Sequence, residues 1–152
     1  MTPLALRDLL HARLPNTPGI ARADVWEERP YGLAVQLAGR QSWVCWMVTG
    51  ASGVAPAAVG REQPDPMPVP DLGAAKVPVG AVEQALLAVV AAVPGVVRYD
   101  RYSTRPVPPA VGFGATVDCA DDGWRLFLSV VGMKGTLDPR ERIRPVTETS
   151  EL

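Results

Sequence analysis

The chain is short of nearly every residue type that marks a common chemistry. Across 152 residues it has one histidine, His11, two cysteines, Cys45 and Cys119, and only two lysines, Lys76 and Lys134. A nucleophilic site needs a base held beside its nucleophile, and no local pattern puts His11 next to either cysteine. No GxxxxGKS/T, HExxH, GxSxG or CxxC occurs, so phosphate-loop, metalloprotease, hydrolase and dithiol readings lack an anchor. The glycine-bearing stretch 48–54 (VTGASGV) has neither the phosphate-loop lysine nor GxGxxG spacing, and reads as a strand leaving for a loop. Asp118, Asp121 and Asp122 fall short of the ligand number and spacing of a calcium loop. They read as a solvated turn, so neither metal nor cofactor is expected, and the sequence points away from an enzyme.

A charge excess is missing as well. Fifteen basic and sixteen acidic residues give a formal net charge of −1, whereas a surface that tracks a phosphate backbone gathers a basic excess. Nucleic-acid binding is therefore disfavoured. Long apolar runs are absent too. Residues 81–93 are nearly apolar but contain Glu83 and Gln84 and are too few to span a bilayer. Residues 3–14 are interrupted by Arg7, Asp8, His11 and Arg13, unlike an export signal. No membrane association is expected, and the cytoplasm is the default location. Heavy use of alanine, arginine and proline points to the codons of a GC-rich, bacterial genome.

Set against these gaps is a stretch that occurs twice. Residues 18–30 read PGIARADVWEERP and residues 94–106 read PGVVRYDRYSTRP, at an offset of 76 with six of thirteen positions identical. A repeat constrains architecture more tightly than local propensity does. Backwards, Leu6, Leu10 and Leu14 fall over Val82, Leu86 and Val90. Forwards, beyond extra residues around 107–110, 32–37 (GLAVQL) is laid over 112–117 (GFGATV) and 43–48 (WVCWMV) over 124–129 (WRLFLS). That overlay pairs Trp43 with Trp124 and makes both expected core anchors.

The first helix should open with Thr2 as N-cap and Pro3 as first helical residue, with Leu6, Leu10 and Leu14 inward. The second should start after Pro78 and stop before Pro94. Each is followed by a Pro-Gly turn, a strand, an Arg-Pro corner and a hairpin. The expected fold class is α+β, with internally duplicated αβββ units forming an antiparallel sheet with two packed helices about a pseudo-two-fold. Residues 1–55 form the first repeat, 56–78 a proline-rich connecting strap and 79–132 the second repeat. Residues 133–152 form a short turn or helix and a polar tail, in one compact domain overall.

Two function classes follow. The strand around Trp46 is apolar on both faces: Trp43, Cys45 and Met47 on one, Val44, Trp46 and Val48 on the other. Such a strand is either covered twice or supplies an interface. The first expectation is a non-enzymatic protein-interaction module, an adaptor, chaperone-like protein or inhibitor, that binds a protein partner or itself. Its interface residues would be Trp46, Val44, Val48, Tyr99 and Tyr102. The alternative is a small-ligand or anion-binding domain, with Arg22, Arg29, Arg98 and Arg105 lining a cleft between the repeats and Arg98 and Arg105 within reach of one ligand. Spacing of i and i+2 on a strand equally lets Arg22 bridge to Asp24 and Arg98 to Asp100.

Overall fold

A computed structural model of the protein describes residues 1–53, 64–74, 76–105, 112–120, 123–135 and 137–138. Helix α1 runs over Pro3–Arg13, capped by the Thr2 hydroxyl, which accepts the Ala5 N–H at 3.1 Å. Leu14–Asn16 add one 3-10 turn. Three strands follow: β1 (Ile20–Trp26), β2 (Gly32–Leu37) and β3 (Trp43–Ala51). The two-residue β4 (Val77–Pro78) leads straight into α2 (Val79–Ala91). Strands β5 (Val96–Arg101), β6 (Gly114–Cys119) and β7 (Arg125–Lys134) come next, and β8 (Leu137–Asp138) pairs in parallel with β4. The insertion expected around 107–110, the aspartates at 121 and 122 and the run beyond 138 lie outside the described residues.

The six long strands make one antiparallel sheet in the order β1-β2-β3-β7-β6-β5. Its centre is the β3–β7 pair, and its edges are β1 and β5, the strands that directly follow the helices. Both helices lie on one face. Leu6, Leu10 and Leu14 from α1 and Val82, Leu86 and Val90 from α2 meet Leu33, Val35, Leu37, Val44, Trp46, Val48, Val117, Leu126 and Leu128 in one core. Each such side chain contributes about 1.5–3 kcal/mol on burial. An α+β fold with two helices packed on an antiparallel sheet is what the sequence predicts.

The halves share contacts at the level of single hydrogen bonds. Ala38 donates to the Gly19 carbonyl at 2.8 Å, and Ala120 to that of Gly95 at 2.8 Å. Val48 donates to Tyr31 and Val130 to Phe113, both at 3.3 Å. The β1–β2 ladder slips between Ile20 and Arg22, and the β5–β6 ladder slips between Val96 and Arg98. Gln36 faces Trp43 as Asp118 faces Arg125. The offset is 76 as far as β1 and β5 and 82 thereafter, because β6 begins eighteen residues after the start of β5 whereas β2 begins twelve after the start of β1. Gly32 thus corresponds to Gly114 rather than to Gly112, and Trp43 to Arg125 rather than to Trp124. The sequence overlay of the hairpins is displaced by that loop.

Residues 64–74 carry no regular secondary structure but are fastened across the molecule. Leu72 is 3 % exposed and joins the core, Gln84 Nε2 donates to the Pro68 carbonyl at 2.8 Å, and Arg40 donates to the Ala74 carbonyl at 2.7 Å. The strap therefore touches both halves.

Candidate functional site

The sheet face opposite the helices is where polar and aromatic side chains stand together. Alternation along a strand sends successive residues to opposite faces. With Val44, Trp46 and Val48 under the helices, Trp43, Cys45 and Met47 point the other way, each half-buried. Ala34 lies beside them on β2, and Trp26 on β1. In the second half the same face carries Arg125, Phe127 and Ser129 on β7, Thr116 and Asp118 on β6, and Arg98 and Asp100 on β5.

Two hollows mark this face. One, of about 280 Å³, lies over β1–β3 and is lined by Asp24, Val25, Trp26, Ala34, Trp43, Cys45 and Lys134. The Lys134 ammonium sits 5.8 Å from the centre of the Trp43 ring, within cation–π range. Burial pushes the Cys45 thiol above its usual pKa, with Lys134 opposing and Glu28 adding to the shift. The other hollow, also about 280 Å³, lies over β5–β7 and is lined by Arg98, Asp100, Arg105, Thr116, Asp118, Arg125 and Phe127. Its acids are gripped side-on by arginine. Arg105 Nε and Nη2 reach the Asp100 oxygens at 3.1 and 2.7 Å, and Arg125 reaches Asp118 at 2.7 and 3.2 Å. Those hydrogen bonds raise both arginine pKa values, with the aspartate charges adding to them.

Comparison with protein-family models, curated proteins and solved structures yields no match. The site must be read from its own geometry. Among the described residues no helix is long and apolar enough to cross a membrane, and no three metal-ligating side chains gather.

The residues expected at an interface are placed elsewhere. Val44, Trp46 and Val48 are at most 1 % exposed, packed beneath the helices. That face of β3 is spent on the chain's own core, because β7 continues the sheet and both helices cover the joined strands. Tyr102 is 7 % exposed, with its hydroxyl 3.0 Å from Thr116 Oγ1 and the Arg105 guanidinium 4.7 Å from its ring centre. Tyr99 packs against the core from the edge. Trp43, expected inside, is on the open face, and Trp124 is half-buried just ahead of β7. Face assignment in β3 turned on its neighbour, which the sequence does not name.

The arginines separate in the same way. Arg22 bridges to Asp24 at 2.9 Å, and Arg29 is an exposed turn residue that donates to the Glu28 carbonyl. Arg98 and Arg105 lie at the far edge, five strand spacings or about 24 Å away. The four do not line one cleft between the halves, although Arg98 and Arg105 both line the hollow over β5–β7. Asp100 takes Arg105 from the corner instead of Arg98, so Arg98 has no ion-pair partner among the described residues.

His11 donates from Nδ1 to the Ala23 carbonyl, fixing α1 to β1. Glu83, which the sequence marks only as a break in an apolar helix, is 1 % exposed. Its carboxylate accepts from Arg101 Nε, from the Ser103 hydroxyl and from the Gly114 N–H at 2.8 Å. Arg101 Nη2 also donates to the Gly80 carbonyl at 2.7 Å. The network clamps α2 to β5 and β6. A carboxylate inside an otherwise apolar helix is the signal that could have found it, since a buried acid requires partners.

Proposed function

We propose that the protein is a non-enzymatic protein-interaction module that receives its partner, or a second copy, on the sheet face opposite α1 and α2. The observation that carries this reading is the row of half-buried Trp26, Trp43, Cys45, Met47 and Phe127 on that face. Aromatic and sulfur side chains of this kind supply contact area at low ordering cost. The test is light scattering behind size exclusion, together with cross-linked pull-down from the native cell, comparing wild type with Trp43→Glu. Trp43 is outside the core, so the variant should keep its circular dichroism and melting behaviour while losing self-association or its captured partner. Equal behaviour of both proteins in both assays would reject the reading.

The reading includes an internally duplicated chain related by a pseudo-two-fold axis. It is supported by the recurring hydrogen bonds and ladder slips, and by the central register. Met47 faces Ser129, Val48 faces Leu128 and Trp46 faces Val130. At the offset of 82, Met47 and Ser129 exchange with each other, and the Val48–Leu128 pair becomes Val130–Trp46. An axis through the Met47–Ser129 pair accounts for both. Neither Cys45 nor Cys119 is in a disulfide, which suits a reducing cytoplasm.

A further inference from the structure

We propose that the hollow over β5–β7 is a receptor for a single carboxylate carried on an apolar body, with Arg98 as its uncommitted cation. Three guanidinium groups and two carboxylates line the hollow. Asp100 and Asp118 are each held in a two-point grip by Arg105 and Arg125. Arg98 stands opposite Asp118 on the ladder, exposed and without an ion-pair partner among the described residues. One positive charge is left over, which matches a monoanion. The side-on grips also leave Nη1 of Arg105 and Arg125 outside these ion pairs, and a guanidinium has five donors to give.

Size and lining narrow the ligand further. About 280 Å³ lies at the lower end of small-ligand sites. Phe127 offers an apolar surface beside the cations, so the acid should carry a hydrophobic or planar group. A phosphate dianion would face two aspartates in the same hollow, whereas a carboxylate matches the guanidinium fork with half the charge. Nor does the backbone require this charged set. At the corresponding ladder positions the first half has Gln36 with Trp43 and Ala34 with Cys45, in the same antiparallel arrangement.

The carboxylate has two sources, an acidic side chain of a bound protein or a free organic acid. Only the first rests on the protein-interaction reading. The experiment is a ¹H–¹⁵N NMR titration at constant ionic strength of wild type, Arg98→Ala and Arg98→Lys. The probes are benzoate, neutral benzamide, inorganic phosphate and a capped peptide bearing one glutamate beside leucine. Benzoate should give saturable shifts at Arg98, Thr116 and Phe127 that benzamide does not. The affinity should fall about ten-fold or more in Arg98→Ala and be partly kept in Arg98→Lys. Phosphate should bind more weakly than benzoate. A peptide tighter than benzoate assigns the carboxylate to a protein partner, and a peptide weaker than benzoate assigns it to a free acid; both support the receptor. Absent saturation with benzoate, equal binding of benzamide, tighter binding of phosphate or an unaffected Arg98→Ala variant would overturn it. Because Trp43 lies outside this hollow, failure of the Trp43→Glu test leaves the outcome unchanged.

Discussion

The Glu83 carboxylate is held inside the protein by donors from three segments, and Arg101, its ionic partner, is itself only 9 % exposed. Removing one member of such a pair strands the other charge away from water. Glu83→Ala should therefore lower stability by about 3–5 kcal/mol, read as an earlier urea midpoint with an unchanged slope. Adding Arg101→Met should recover part of the loss, since the stranded cation goes with it. An additive double variant would show that the two groups act separately. Trp46 is a second buried polar group, one whose indole N–H has no acceptor among the described residues. The core accepts that orphaned donor in exchange for the largest apolar side chain at its centre. The apolar helix around Glu83 signals a buried acid but not its partners, which are 18 to 31 residues away. Local spacing was right for one of the two expected bridges. Arg22 bridges Asp24 two residues on, as strand alternation predicts, but Asp100 is captured from a corner five residues on.

At the scale of elements, Gly114 couples helix, strand and corner. It opens β6 at φ +134°, its N–H is taken by Glu83, and an added Cβ would lie 2.0 Å from the Leu128 carbonyl oxygen. Gly114→Ala should cost at least about 3 kcal/mol, combining backbone strain with a forced separation of β6 from β7. Gly39 is the natural control. It has φ +73° with nothing within 4 Å of an added Cβ, so Gly39→Ala should cost only about 1–2 kcal/mol. Thermal melts of the two variants check both figures, and equal losses would mean that the close approach at Gly114 relaxes freely. The elements themselves were legible. Leu6, Leu10 and Leu14 announce α1, Pro78 and Pro94 bracket α2, and the Pro-Gly turns announce β1 and β5. The faces were less legible. Trp43–Met47 alternates between two apolar sets, and either could have met the helices until β7 was placed alongside.

For the whole molecule, the decisive arrangement is that the halves meet along β3 and β7, their longest strands. The core is continuous across that seam, and the strap adds Leu72. Unfolding should consequently be a single cooperative transition. Far-ultraviolet circular dichroism and tryptophan fluorescence should give coincident urea curves, with Trp26, Trp43 and Trp46 in one half and Trp124 in the other. Two separated transitions would show that the seam is weaker than either half.

The sheet order also dictates what happens while the chain is being made. One side of β3 pairs with β2 at once, but its other side waits for β7, some eighty residues further on. At ribosomal speeds of roughly 5–20 residues per second that is about 4–16 s. Throughout this interval the nascent first half presents an open edge beside Trp46 and Val48, the form most prone to pairing with another nascent chain. The slowest codon stretches in a well-expressed gene would accordingly be tolerated before Trp43 or after Lys134, and would be costly between them.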